Sequence, residues 1–377
     1  MIRVAMMLAF ASLGTVAAAE DTTQAAPPRV AAPEHYLVDY ASDKVLSASA
    51  ADEPVPPASL TKLMTAYVVF SALEAGKIHL DDEALVSKRA WHTGGSRMFI
   101  EPNSHVRVED LVRGMLIQSG NDASTALAEH VAGSVDAFVA LMNEQAAALG
   151  MKSSEFKNPT GLPARGHVSS AHDMAILAKA IIATYPKYYG LYAEREFSYN
   201  GITQQNRNAL LLRDLGVDGM KTGFTGAAGY CIVSSAERDG MRLIAVVLGA
   251  QTAKLRNDAA QALLQYGFAN YETHRLYAAG EPVSAVRVLG GRAETTPLGL
   301  EHDLFVTIPR GSYAALVATM DLTAQLIAPL REGTRVGEVK VSFEGSPLAS
   351  LPLVALKPVL EGGLWTRVMS GLGLLTE

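Results

Sequence analysis

The stretch that decides the fold reads Pro56-Pro-Ala-Ser59-Leu-Thr-Lys62-Leu-Met-Thr-Ala-Tyr-Val-Val-Phe70. The two prolines favour an extended entry, and the apolar residues that follow are spaced three and four apart. The pattern predicts a helix over about residues 59–75 with one buried face. Ser59 and Lys62 share a face at its first turn, where the helix dipole favours negative charge and a dry environment deprotonates a lysine. We therefore expect Ser59 to be a nucleophile and Lys62 its base.

A serine three residues before a lysine is not decisive by itself, because short patterns recur by chance. Residues 154–157, Ser-Glu-Phe-Lys, repeat the spacing in this same chain. That copy runs into the turn Asn158-Pro-Thr-Gly161, and no buried helix follows it. The context of the first copy distinguishes it from the second.

Two further motifs follow in order along the chain. Ser119-Gly-Asn121 lies between two apolar helical stretches, and Lys221-Thr222-Gly223 precedes two predicted strands. Each is weak alone: Ser119 and Asn121 could merely cap a helix, and the lysine could be a solvated turn residue. The three motifs occur in the order of a known catalytic combination. Each also has its own context: the first lies at a helix start, the second in an inter-helix turn and the third on a strand. We therefore predict that the three motifs meet in one active site.

Composition excludes several other classes of function. The 377 residues carry a formal net charge of −6, with no basic stripe of the kind that nucleic-acid-binding proteins show. One cysteine, Cys231, excludes an internal disulfide framework and a cysteine metal cage. His167 and His172 fit no standard ligand spacing, so neither a metal nor a cofactor is expected.

The N-terminal segment has the pattern of an export signal. Residues 1–19 combine Arg3, an apolar core and the small residues that precede Glu20. A short membrane anchor is the alternative, although the apolar run is too short to span a bilayer comfortably. We expect cleavage near Ala19, and residues 20–34, with three prolines, read as a mobile leader.

The rest of the chain divides into two domains and a tail. Residues 35–275 should form the first domain, beginning with a hairpin over 36–50 and ending with a helix over 253–272. Residues 276–355 alternate apolar and polar positions and predict a small antiparallel β domain. Residues 356–377 place apolar side chains three and four apart beside Trp365, as in a helix at a membrane surface, at Leu360, Leu364, Val368, Leu372 and Leu375. A tail helix packed on the β domain is the alternative.

The quoted motifs closely resemble those of the active-site serine penicillin-recognising enzymes. Within that group the chain is similar to the D-alanyl-D-alanine carboxypeptidases among the low-molecular-mass penicillin-binding proteins, and the similarity extends over nearly all of residues 30–355. It implies an α+β fold: a transpeptidase-like domain, an antiparallel sheet flanked by helices, followed by the β domain. It also implies a periplasmic serine carboxypeptidase at the outer face of the cytoplasmic membrane, acting on peptidoglycan stem pentapeptides and inhibited by β-lactams.

The resemblance also implies a role for each motif residue. Ser59 would attack the carbonyl between two terminal D-alanines, Lys62 would take its proton, and Ser119 would relay a proton. The remaining residues would bind substrate: Lys221 as a cation, Asn121 at the peptide amide, Thr222 and Arg256 at the terminal carboxylate, with Gly223 beside them. The backbone N–H groups of Ser59 and Phe224 would form the oxyanion hole.

One departure and three alternatives qualify this reading. Position 224 is Phe where relatives often carry a polar residue, which leaves only its backbone donor in the predicted role. A β-lactamase shares two motifs, but Ser-Gly-Asn replaces Ser-Asp-Asn and no obvious deacylating glutamate motif lies between Ser119 and Lys221. A peptidoglycan endopeptidase would use the same site. A non-catalytic muropeptide-binding module would not need the nucleophile.

Overall fold

The computed structural model describes residues 6–8, 26–213 and 215–363. The chain divides into two compact units, one of residues 26–269 and one that begins at Asn270 and includes the N-terminal segment. Each unit has its own hydrophobic core.

The strands and helices of the first unit follow one another in this order: β2 Glu34–Asp39, β3 Val45–Ser49, α1 Thr61–Glu74, β4 Glu83–Leu85, α2 Lys88–His92, β5 His105–Arg107, α3 Val108–Ile117, α4 Asn121–Ala132, α5 Val135–Ala148, α6 Ala171–Thr184, α7 Pro186–Tyr189, β6 Glu196–Tyr199, β7 Ile202–Gln205, β8 Val217–Thr225, β9 Gly229–Arg238, β10 Met241–Ala250 and α8 Ala253–Asn270. The 3-10 turn Ala58–Leu60 precedes α1 directly.

A five-stranded antiparallel sheet forms the middle layer of this unit. Its strand order is β3-β2-β10-β9-β8, so β8 is an edge strand and the predicted hairpin is β2 and β3. Tyr36 stacks on His172 of α6, and its neighbour Leu37 faces α8, where Gly267 lies. Because helices cover both faces, the apolar run of β10 is buried on both sides rather than alternating.

Helix α1 is more deeply buried than its sequence pattern predicts. Every residue of α1 except Ser71 and Glu74 is buried, so the expectation of one buried face is wrong. The helix lies inside the helical layer, in contact with α3, α4, α5 and α6. A helix surrounded in this way is apolar on all sides and shows little amphipathic periodicity.

The second unit is built from β-strands, as predicted. They are β11 Tyr271–Tyr277, β12 Pro282–Leu289, β13 Thr295–Leu300, β14 Leu304–Pro309, β15 Leu316–Leu322, β16 Leu326–Ile327, β17 Arg335–Phe343 and β18 Ser346–Ala355. Most pairs are antiparallel, and β12 pairs with β16 in parallel. Val339 and Val341 of β17 point into the core while Lys340 does not, which is the predicted alternation.

Both ends of the chain carry predictions that extend beyond the described residues. Within the predicted signal sequence only β1, Met6–Leu8, is described, and it pairs with β15. Residues 356–363 of the predicted tail are not helical: Val359 is buried in the β unit and pairs with Leu330, so it is not part of an exposed stripe. The other tail residues, 364–377, lie outside the described residues.

Among the described residues, no single helix has the length and apolar character needed to span a membrane. The pair Asn121–Ala132 and Val135–Ala148, which is bent by 86°, meets those criteria by length and composition only.

Candidate active site

Ser59 and Lys62 lie where a 3-10 turn passes into α1. The Lys62 Nζ is 3.1 Å from the Ser59 Oγ, and it also donates to the Asn121 Oδ1 and the Thr160 carbonyl, both at 2.6 Å. A neutral amine has two protons and one lone pair. With both protons donated to Asn121 and Thr160, the lone pair of neutral Lys62 faces the Ser59 hydroxyl and can accept its proton.

The surroundings of Lys62 favour that neutral form. Its side chain is fully buried, and burial lowers its pKa well below the ordinary value because a charged amine loses its hydration. The cations of Lys221 and Arg207 lower the pKa further. A lysine base at neutral pH needs this combination of burial and like charge.

Ser119 lies in the middle of the turn between α3 and α4. Its φ is +69°, a left-handed conformation that is uncommon for a residue with a side chain. The Oγ is buried, yet it has no hydrogen-bond partner among the residues that the structure describes. Because buried hydroxyls are normally paired, this atom is available to a group that enters the site.

Lys221, Thr222 and Gly223 lie on β8, the edge strand beside Ser59. Lys221 is buried, and burial together with the nearby Arg207 and Arg256 lowers its pKa to about 7. A Cβ on Gly223 would stand 3.1 Å from the Ser59 backbone nitrogen. The glycine therefore lets β8 approach the nucleophile turn closely.

A cleft of about 690 Å³ opens above these groups. Among the residues that line it are Ser59, Ser119, Asn121, Thr222, Gly223, Phe224 and Arg256, so the structure brings every predicted site residue to the cleft or, for Lys62 and Lys221, to the buried layer around it. Phe224 is 54% exposed, and its ring lies 4.3 Å from that of Tyr230. Phe224 therefore gives the cleft an apolar wall at the position where the family resemblance suggested a polar side chain.

Both polar atoms of the Asn121 side-chain amide have hydrogen-bond partners within the protein. The Oδ1 accepts from Lys62, and the Nδ2 donates to the Gly94 carbonyl at 2.6 Å. In this structure the side chain therefore holds Lys62 and ties the loop at Gly94 to α4. The expected contact of Asn121 with a substrate amide stays a prediction.

Three features of the site were missed from the sequence. Arg207 lines the cleft and acts on both lysines. The Asn158 side chain accepts from the N–H groups of Thr160 and Gly161 and so shapes the turn that offers its carbonyl to Lys62. The Asp122 carboxylate accepts from backbone N–H groups of the loop over residues 98–100. No local pattern marks Arg207 or Asp122, because they act on groups distant in sequence. The turn at Asn158 is a local pattern, but its contact with Lys62 is not.

Within the described part of the chain, no group of three His, Cys, Asp or Glu side chains could hold a metal ion. His167 bonds Thr61, and His172 pairs with Asp52. Cys231 is fully buried, and burial raises the pKa of its thiol to about 11. It is therefore an unreactive core residue, as expected.

Comparison with known proteins identifies the family. The profile described as D-alanyl-D-alanine carboxypeptidase matches residues 21–252. The chain belongs to this family. The profile described as penicillin-binding protein 5, C-terminal domain, matches residues 271–361. Among curated relatives, the D-alanyl-D-alanine carboxypeptidase DacC of Escherichia coli is 46% identical over 362 residues, which cover 94% of this chain and 90% of the relative.

Solved structures of the same family share the fold. Penicillin-binding protein 5 from Haemophilus influenzae superposes with a TM-score of 0.86 at 42% identity and covers 89% of this chain and 100% of its own. Penicillin-binding protein D2 from Listeria monocytogenes, solved with ampicillin bound, has a TM-score of 0.60 at 32% identity over 65% of this chain and 100% of its own. The predicted fold class, a transpeptidase-like α+β domain followed by a β domain, is confirmed.

Proposed function

We propose that this protein is a serine DD-carboxypeptidase that removes the terminal D-alanine from peptidoglycan stem pentapeptides. The observation that carries the proposal is the Ser59 hydroxyl 3.1 Å from the buried Lys62 amine, at the floor of a cleft lined by Arg207 and Arg256. A nucleophile, a neutral base and two cations for an anionic peptide end are what this hydrolysis needs. Its membership of the carboxypeptidase family supports the same substrate class.

Acylation begins when the Ser59 Oγ attacks the carbonyl carbon of the penultimate D-alanine. Lys62 takes the hydroxyl proton as the C–O bond forms, and the carbonyl oxygen becomes an oxyanion that the N–H groups of Ser59 and Phe224 stabilise. The C–N bond then breaks. The leaving amine receives a proton from Lys62 through Ser119, whose buried Oγ has no hydrogen-bond partner among the described residues and can bridge the two.

Deacylation repeats these steps with water in place of the serine. Lys62, neutral again after the first half-reaction, accepts a proton from the water that attacks the ester carbonyl. The ester C–O bond breaks, Ser59 regains its proton, and the shortened peptide leaves as a carboxylic acid. Every proton taken up is returned, so the enzyme ends the cycle in its starting state.

Substrate binding relies on charge at the end of β8. Arg256, Arg207 and Thr222 line the cleft and can hold the terminal carboxylate, with Lys221 adding positive charge from below. The Arg256 guanidinium is held by the Asn257 Oδ1, at 2.9 and 3.0 Å, which fixes its direction. The exposed Phe224 ring forms an apolar wall of the same cleft.

β-Lactams are proposed to acylate the same serine. The strained amide of penicillin would be opened by Ser59 and leave a penicilloyl ester, and the ampicillin-bound relative supports this reading. Intact-mass measurement after incubation with penicillin should show one adduct on the wild type and none on Ser59→Ala. A wild type that never forms the adduct would refute the proposed site.

The location of the enzyme is also proposed. Residues 1–19 would direct export and be removed near Ala19, and residues 364–377 would hold the enzyme at the outer face of the cytoplasmic membrane. Cell fractionation tests the second point: deletion of 364–377 should move the protein from the membrane fraction to the soluble periplasm. A truncated protein that still sediments with membranes would contradict the anchor.

A further inference from the structure

His167 is a buried histidine to which the proposed reaction assigns no task. It is 4% exposed, and the backbone N–H of Lys157 donates to its Nδ1 at 3.2 Å. A nitrogen that accepts from an N–H carries no proton, so the neutral ring has its proton on Nε2. Burial and the nearby Lys157 cation lower the pKa of this ring to about 4, which keeps it neutral.

The Nε2 of His167 lies 2.8 Å from the Thr61 Oγ1. Since Nε2 carries the proton, it donates to that oxygen, and the Thr61 hydroxyl proton is free to donate elsewhere. The hydroxyl donates to the Ala58 carbonyl at 2.8 Å, and the Thr61 backbone N–H donates to the same carbonyl. The hydrogen bonds thus form one chain with a single direction. Lys157 donates to His167, His167 donates to Thr61, and Thr61 donates to Ala58.

Ala58 needs this support. Its φ is +49°, a left-handed conformation that is unfavourable for a residue with a Cβ. The peptide between Ala58 and Ser59 is planar, so its C=O and N–H point in opposite directions. Holding the Ala58 carbonyl toward Thr61 therefore also sets the direction of the Ser59 N–H, one of the two proposed oxyanion donors.

We propose that His167 is a positioning residue for the oxyanion hole. Through Thr61 it holds the Ala58 carbonyl, and with it the Ser59 N–H, in the orientation that the developing negative charge requires. The inference rests on the proposed function for its kinetic test. It predicts a specific loss in the chemical step rather than in binding, because the charge on the oxygen exists only in the transition state.

The test uses the full-length enzyme and three substitutions. His167→Leu removes both hydrogen bonds of the ring, Thr61→Val removes the hydroxyl at similar volume, and His167→Gln can still accept from Lys157 and donate to Thr61. His172→Leu is the control, since His172 lies on α6 and pairs with Asp52 outside the cleft. Stopped-flow acylation by a fluorescent penicillin gives the first-order acylation constant and the noncovalent dissociation constant separately.

We expect His167→Leu and Thr61→Val to lower the acylation constant about tenfold or more while the dissociation constant stays within twofold. The double substitution should be no worse than the more severe single one, because both act through one chain of contacts. His167→Gln should recover most of the rate, and His172→Leu should match the wild type. If His167→Leu and Thr61→Val lower only the melting temperature and leave the acylation constants unchanged, His167 contributes to core stability alone and the inference is wrong.

A second measurement does not depend on activity. A crystal structure of Thr61→Val should show the peptide between Ala58 and Ser59 rotated from its wild-type orientation. An unchanged left-handed Ala58 would overturn the inference even in an enzyme that penicillin does not acylate. Failure of the wild type to react would count against the proposed function instead, so the two outcomes can be told apart.

Discussion

At the scale of single residues, the site depends on cations that share a small volume. Lys62 and Lys221 are both buried, and Arg207 lowers the pKa of each. The arrangement destabilises the charged form of Lys62 and so prepares a base, while the same positive field attracts a carboxylate. Sequence spacing identified Ser59 and Lys62 as partners. It could not identify Arg207, because that arginine acts through its proximity to the two lysines in the fold and belongs to no local sequence pattern.

The role of Arg207 can be tested through the pH dependence of acylation. Removing its charge raises the pKa of Lys62, so a larger part of Lys62 is protonated and inactive at low pH. In Arg207→Gln the acid limb of the acylation constant should therefore move to higher pH. Stopped-flow acylation at saturating penicillin between pH 5 and pH 9 measures this shift separately from weaker binding.

A matched arginine provides the control for this shift. Arg165 is exposed beside a neighbouring groove and is not among the charges that shift the pKa of Lys62, so Arg165→Gln should keep the wild-type acid limb. An acid limb that stays in place in Arg207→Gln would show that Arg207 does not tune the base.

At the scale of elements, the nucleophile is held by the contact of two turns. The turn at Ala58 meets the turn at Gly161, and a Cβ on Gly161 would stand 1.8 Å from the Ala58 carbonyl oxygen. The sequence predicted the turn at Gly161, but it predicted an extended entry in place of the 3-10 turn at Ala58–Leu60. It did not predict their contact, nor the burial of α1 on all sides, because both depend on packing between segments distant in the chain.

Gly161→Ala tests the contact of the two turns. The added methyl must displace the backbone at Ala58, so we expect acylation by penicillin to fall by at least about tenfold as the nucleophile shifts. Gly150→Ala is the matched control. Gly150 also has a positive φ, +77° against +83°, but its methyl would meet nothing within 4 Å.

The two substitutions share the strain of a positive φ, and only Gly161→Ala adds a clash with the backbone at Ala58. Both should lower the melting temperature, whereas only Gly161→Ala should slow acylation. Equal acylation constants for the two variants would show that the contact at Ala58 does not position Ser59.

At the scale of the whole molecule, the chemistry and the β domain belong to separate units. Every site residue lies within residues 26–269, and each unit has its own core. The alternation of β17 and the β-rich character of the second unit could be predicted, since they follow from local pattern. The pairing order of its strands and the parallel β12–β16 pair could not, because register between distant strands leaves no local trace.

This separation predicts that the first unit is catalytically sufficient. A fragment of residues 26–270 should fold and be acylated by penicillin with a constant within about threefold of the full chain, since it keeps the entire core around Ser59. Circular dichroism and stopped-flow acylation check the two parts of the prediction. A folded fragment that does not react would mean that the β domain contributes to the site.

The most direct test of the central claim is the release of D-alanine from a peptide ending in Lys-D-Ala-D-Ala, measured for the wild type beside Ser59→Ala. The wild type should release D-alanine, and the variant should release none. A penicillin adduct on Ser59 without D-alanine release would support the proposed site but indicate a cross-linked peptide as its substrate, as in an endopeptidase. If the folded wild type gives neither D-alanine nor an adduct, the proposed activity is wrong, and a module that only binds muropeptides is favoured.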